Sequence, residues 1–192
     1  MSKQTWEETV AVATAAGTAV ASSTTETIIM PNVTLPANYL QDGRNLRLRL
    51  WGAYGTTATP TLTFTIRWGG VSGTVIAKSG AMVTTSGTGG GASMTACWSL
   101  DAMIQVRSNG SAGTLFTMGE VILYTSTVGT AGTVTNYGMP AVLASGSTGG
   151  TTPVAVACDL TADTALSVTA LWGTNNAANS IRADLYTLEA LN

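Results

Sequence analysis

RNLRLRLWGAYGTTATPTLTFTIRWG, residues 44–69, decides how this chain is read. Two runs alternate strictly in polarity around a Gly/Thr/Ala/Pro segment, the period-two pattern of strands that bury one face. Leu46, Leu48 and Leu50 fall on one face of the first run, and Arg47, Arg49 and Trp51 on the other. In the second run Leu62, Phe64, Ile66 and Trp68 alternate with Thr61, Thr63, Thr65 and Arg67. Together the runs predict a long antiparallel β-hairpin with one apolar face and one face of threonine and arginine.

Working outward, the same grammar recurs. Residues 24–30 (TTETIIM) read as a short strand stopped by Pro31, and 32–40 as an edge or bend broken by Pro36. TVIAK (74–78) and MVTT (82–85) are further short strands. Residues 93–107 and 114–125 form a second hairpin around Ser108-Asn109-Gly110-Ser111. Trp98, Leu100, Ala102, Ile104 and Val106 face one way; Cys97, Ser99, Asp101, Met103, Gln105 and Arg107 face the other. Residues 126–152 read as a long loop with one weak strand near Val142-Leu143, and loops of that length usually serve function or an interface. Strands follow at 153–159, 165–172 and 179–191, the last offering Ile181, Ala183, Leu185 and Leu188 to the core. Residues 167–186 echo 48–68 as strand, Trp-Gly, polar turn, strand, which suggests a third hairpin. Residues 1–23 are an N-terminal arm or edge strand, with Trp6 as its docking residue, and 24–192 a single domain. The expected fold is all-β: an antiparallel two-sheet β-sandwich, jelly-roll-like, of about 8–10 strands and very little helix.

Composition narrows the function. Only 9% of the 192 residues are charged, against roughly 25% in ordinary soluble domains. So little charge defends a surface poorly against association, and much of it is expected to be covered by copies of the chain or by a larger assembly. A net charge of −2 gives nucleic acid no basic footprint. Histidine is absent, which removes the commonest acid–base group and metal ligand. Residues 10–22 imitate a signal peptide, but Glu7 and Glu8 precede the run and it holds no Leu, Ile or Phe, so it is read as part of the mature chain. No apolar run is long enough for a membrane-spanning helix, and no membrane partner is expected.

The chemical candidates are few. Cys97 and Cys158 form no CxxC; they read first as two buried core thiols, with pairing open if their strands are adjacent. The glycine run at 86–92 lacks P-loop spacing and its Lys-Ser/Thr, so it reads as a loop. Asp101 and Glu120, alone in apolar strands, could be a carboxylate pair; cross-strand pairing with Arg47, Arg49 or Arg107 is the simpler account. Asp159 and Asp163 flank a turn without EF-hand spacing. No catalytic residue, metal site or cofactor is assigned, and the chain is read as a non-enzyme.

Three stretches carry a resemblance: TTETIIMPNVTLPANYL, RLRLWGAYGTTATPTLTFTIRWGG and ALSVTALWGTNNAANSIRADLYTLEAL. Their L-P-A-N-x-L, G-T-x-x-T-P-T-L-T-x-x-x-R-x-G and N-x-I-x-x-x-x-x-x-x-E patterns resemble small β-sandwich structural proteins of tailed bacteriophages, the capsid decoration or cement proteins, over residues 24–190. That resemblance implies a virion protein, assembled in the host bacterial cytoplasm, that binds the major capsid protein as a homotrimer on the outer capsid surface and stabilises the shell. It also implies a neighbouring alternative, a receptor- or glycan-binding module of a tail fibre or baseplate. Trp6, Arg47, Arg49, Arg67 and Tyr137 are the candidate subunit or capsid contacts.

Overall fold

The structure is a computed structural model that describes residues 7–57, 60–84, 94, 96–124, 127–128, 134–135, 138–149 and 152–191. Trp6, Tyr137 and the glycine run at 86–92 lie outside the described residues. In chain order come β1 (Glu7–Val12), β2 (Val20–Ala21), β3 (Thr27–Ile28), β4 (Val33–Leu35), β5 (Asn45–Gly55) and β6 (Thr61–Trp68). Next are β7 (Thr74–Ser79), β8 (Met82–Val83), β9 (Ala96–Ser108), β10 (Gly113–Tyr124), β11 (Thr127–Val128) and β12 (Val134–Thr135). The chain ends with β13 (Gly138–Ser145), β14 (Val156–Cys158), β15 (Thr164–Trp172) and β16 (Ser180–Leu191). The described residues form no helix, and nine of the strands have six residues or more.

Fourteen strands make one continuous antiparallel sheet whose main path runs β1-β16-β5-β9-β10-β13-β7-β6-β15-β3. The sheet curls over itself. Phe64 on β6 and Trp98 on β9 are four places apart along that path, yet their ring centroids are 5.0 Å apart. The core between the two halves holds Leu46, Leu48, Leu50, Leu62, Phe64, Ile66, Trp98, Leu100, Val168 and Trp172, all at most 1% exposed.

The leading stretch is two strands, as its alternation requires, but the strands do not form a hairpin. β5 pairs with β9 and β16, whereas β6 pairs with β15, β7 and β8. Between β5 and β6 the chain therefore arches from one half of the sheet to the other. Alternation fixes which face of a strand is buried and leaves its partner open. Apolar residues on β5 and β6 serve equally as one face of a hairpin or as opposite walls of a core.

The echo at 167–186 is a second arch for the same reason, joining β15 to β16. The two arches are stitched together. The Gly173 amide donates to the Thr61 carbonyl at 2.8 Å. The Thr57 amide and hydroxyl both donate to Asn179 Oδ1 at 3.1 Å, and Asn179 Nδ2 donates to the Thr174 carbonyl at 3.0 Å. The hairpin of β9 and β10 forms as expected, pairing Trp98 with Leu123 and Leu115 with Val106.

Two further expectations are corrected. The long loop holds an eight-residue strand, β13, that joins the halves by pairing with β10 and β7. Pro140 disguised it, and is tolerated because β7 reaches only Leu143–Ser145, so that stretch has one neighbour. In β16 a bulge falls between Ala183 and Leu185, leaving Asp184 as the extra residue. The inserted residue reverses the alternation, so Leu185 leaves the core and is 57% exposed.

The open ends of the sheet are covered by the N-terminal segment. β1 and β2 lie along β16, while β3 and β4 lie along β15. Across the middle, the buried Tyr54 hydroxyl donates to the Tyr124 carbonyl at 3.1 Å, and burial pushes its pKa up to about 12. Tyr54→Phe is expected to cost about 1 kcal/mol, the worth of one such bond. Paired urea titrations would check this, and an unchanged midpoint would contradict it.

Candidate functional site

The outward face of β13, β10, β9, β5, β16 and β1 concentrates the apolar surface of the molecule. Among the described residues ten large hydrophobic side chains are exposed, and seven lie on this face: Val12, Trp51, Met103, Met118, Tyr124, Val142 and Leu185. Register arranges them in rows across the strands. One row runs Val142, Glu120, Asp101, Arg49, Thr187, Val12. The row beside it runs Pro140, Ile122, Ser99, Trp51, Leu185. On the other side Met118 meets Met103, followed by Arg47 and Glu189. A shallow depression of about 490 Å³, lined by Asp101, Met103, Met118, Gly119, Glu120 and Val142, sits in the β9–β10–β13 part of the face.

Most charge on this face is matched within the chain. Arg47 grips Asp101 through Nε at 3.3 Å and Nη2 at 2.7 Å. Arg49 sends Nη2 to both oxygens of Glu189, at 2.9 and 2.8 Å, and Arg182 bonds Asp184 across the bulge at 2.6 Å. Such half-exposed pairs contribute little to stability, on the order of 0–1 kcal/mol each. Their effect is on the surface, which they make nearly neutral. Among the described residues Glu120 is an exception, as are Glu7 on β1 and Arg107 on β9. Glu120 lies directly opposite Asp101 in register, and among the described residues it has no ion-pair partner, so the expected arginine pairing holds for Asp101 alone. Arg107 instead stacks its guanidinium 3.7 Å from the centre of the Phe116 ring.

Of the five candidate contacts, Arg47 and Arg49 lie on this face. Arg67 lies on β6, in the other half of the sheet, bonded to Glu26 at 2.7 and 2.6 Å and to the Gly73 carbonyl at 2.7 Å. Trp6 and Tyr137 are outside the described residues. The Arg67 hydrogen bonds hold the Glu26 carboxyl below its ordinary value of 4.5; burial opposes them and the Thr169 hydroxyl assists. The folded carboxyl thus loses its proton more readily than the unfolded one. Its stabilisation is complete above that ordinary value and is lost as pH falls through the lower folded pKa. Wild-type urea midpoints should drop below about pH 4.5 more steeply than those of Glu26→Gln, whereas parallel curves would contradict this.

The remaining candidates take ordinary roles. Cys97 and Cys158 are both free; Cys158 is buried, its thiol pKa pushed up to about 11, while Cys97 is exposed and so corrects the reading of two core thiols. Asp159 caps the Thr161 amide and hydroxyl, and Asp163 accepts the Ala37 amide. Among the described residues no group of three or more His, Cys, Asp or Glu could hold a metal, and no helix is long and apolar enough to cross a membrane.

Met103, Met118, Ile122, Tyr124, Val142 and Leu185 were not singled out from sequence as contacts, and Leu185 was read as core. The readable signal was in β10, where GTLFTMGEVILY is apolar on both faces, as strands covered on both sides are. No family model, curated protein or solved structure matches the chain.

Proposed function

We propose that the chain is a non-enzymatic virion structural protein, a capsid decoration protein that binds the major capsid protein on the outer shell as a trimer and stabilises it. The observation that carries this reading is the six-strand outer face, apolar in seven of its exposed side chains and with most of its charges cancelled internally. Contiguous exposed apolar surface of this kind marks an interaction site. Against a shell, a neutral face meets its partner without desolvating free charge. The double arch supports a jelly-roll reading of the curled sheet, two facing sheets joined through β13, because the β5–β16 ribbon continues over the arches as β6–β15.

Mass spectrometry of purified particles from cells making the chain tests the proposal. Copy numbers matching the shell's local threefold positions are expected. A few copies per particle would place the protein in the tail, and its absence from particles would remove the proposal.

A second reading, a glycan-binding module, is favoured by Trp51. The residue is 40% exposed beside Ser99, whose hydroxyl shares a 3.2 Å hydrogen bond with the Tyr124 hydroxyl. An aromatic platform flanked by hydroxyls suits sugar stacking. Glycan-array binding abolished by Trp51→Ala would favour it; an array without signal would end it.

A further inference from the structure

We infer that Asn109 is a site of spontaneous covalent modification, at which the chain converts its own asparagine to aspartate and isoaspartate and so unties two of its turns. The inference does not rest on the assembly reading above.

Asn109-Gly110 turns the chain between β9 and β10. Of the chain's asparagines only Asn109 is followed by glycine. The reaction needs a backbone nitrogen that reaches the carboxamide of the residue before it, and glycine, without a Cβ, offers the least hindered one. Asn109 is exposed. Among the described residues the Gly110 amide donates no hydrogen bond, so none has to break to free it. Asn179, whose neighbour Ser180 is also small, is the contrast: it is 1% exposed and its carboxamide is held at both ends.

The step balances without a co-reactant other than water. The Gly110 nitrogen loses its proton and attacks Asn109 Cγ. The Cγ–Nδ2 bond breaks, and Nδ2 leaves as ammonia with that proton, closing a succinimide ring. Water then opens the ring. Opening at Cγ leaves aspartate with the backbone intact; opening at the Asn109 main-chain carbonyl leaves isoaspartate, with the backbone routed through Cβ and Cγ.

What Asn109 holds gives the conversion a structural effect. Its Nδ2 donates to Gln41 Oε1 at 3.0 Å and its backbone amide donates to Asp42 Oδ1 at 2.6 Å, which ties this turn to the turn at 41–44. Gln41 is not free to flip its amide, because its Nε2 donates to the Asn38 carbonyl at 2.7 Å. An ionised carboxylate only accepts. At position 109 it would face the Gln41 oxygen with no proton to give, near the Asp42 carboxylate. The formal net charge would move from −2 to −3. Isoaspartate would also lengthen the backbone beside the Gly110 carbonyl, which accepts from the Gly113 and Leu160 amides.

The full chain, held for weeks in mildly alkaline buffer, tests the inference. Anion-exchange chromatography should resolve a growing species more acidic by a single charge. Peptide mapping by mass spectrometry should place the amide-to-acid mass gain at Asn109 ahead of every other asparagine, and isoaspartyl methyltransferase should label the product. Asn109→Gln keeps a carboxamide donor on a longer side chain. It should lose the acidic species while keeping the wild-type circular dichroism. Asn109→Asp supplies the aspartate product directly and should unfold at a lower urea midpoint than the wild type. A wild type that stays uniform in charge, or an acidic species that maps to another asparagine, would overturn the site. An Asn109→Asp midpoint equal to that of the wild type would overturn the untying of the turns.

Discussion

Gly52→Ala is expected to lower stability by about 3 kcal/mol, a loss of roughly 6–12 °C in Tm for a chain of this size. Gly52 lies in β5 between Trp98 of β9 and Ala183 of β16. The Trp98 indole crosses above it to donate from Nε1 to the Arg182 carbonyl at 3.1 Å, so one side chain spans three strands. A methyl group on residue 52 would stand 2.0 Å from that carbonyl, 2.8 Å from Nε1 and 2.9 Å from the Ala183 Cα. Two of these atoms are backbone, so no rotamer change relieves the clash. Either the β5–β16 ladder opens beside its bulge or the indole withdraws from the core, breaking its hydrogen bond and its contact with Phe64. Thermal and urea unfolding, read by tryptophan fluorescence, would show the loss. Ala53→Ser, one residue along and facing outward, is the control. A Tm within a degree or two of wild type would show that the sheet yields at this point and that the crossing is not rigid.

Asn179→Ala is expected to cost about 2–3 kcal/mol, because it leaves a backbone amide unpaired at the junction of the two arches. Asn179 is 1% exposed, and its carboxamide is the side chain that ties residue 57 to the turn at residue 174. Truncation removes the partners of the Thr57 amide and the Thr174 carbonyl, whose bonds to Asn179 are part-buried. Asn179→Leu gives a sharper comparison, since it nearly keeps the volume and removes both hydrogen-bonding groups. Its loss should be about as large as that of the alanine variant. A visibly smaller loss, measured by urea midpoint, would mean that the stitching contributes little beyond filled volume.

These two sites also mark where the sequence stopped being informative. Strands were legible because each apolar run keeps one face buried: Leu46, Leu48 and Leu50, or Trp98, Leu100 and Ala102, are inside as their spacing requires. The β9–β10 hairpin was legible because Asn109-Gly110 supplies a tight turn, with Gly110 at φ 94°. Pairing across the arches was not legible, since a polar linker of a few residues suits a hairpin or a crossover between halves alike. The arginines of the candidate face were visible, but their partners were not. Glu189 and Glu26 lie far from Arg49 and Arg67 in sequence, and only the closing of the sheet brings them together. Leu185 was misplaced because the alternation set by Ile181 and Ala183 runs on to it, and no composition signal marks a bulge at Asp184; Leu188, beyond the bulge, is in the core as expected.

The placing of the first four strands bears on how the molecule is made. β1 to β4, complete by Leu35, pair only with β15 and β16, which begin at Thr164. During translation these early segments emerge long before their partners exist, and they wait as unpaired strand while the middle of the chain assembles. Contacts so distant in sequence slow folding, because the loop must close before any pairing rewards it. The final step is thus the seating of the start of the chain on its end, at both margins of the sheet together. Until then both margins are open to other copies. The order of synthesis itself selects for weakly adhesive early strands, and Glu7 and Glu8, exposed on β1, give that margin the like charge that keeps waiting chains apart.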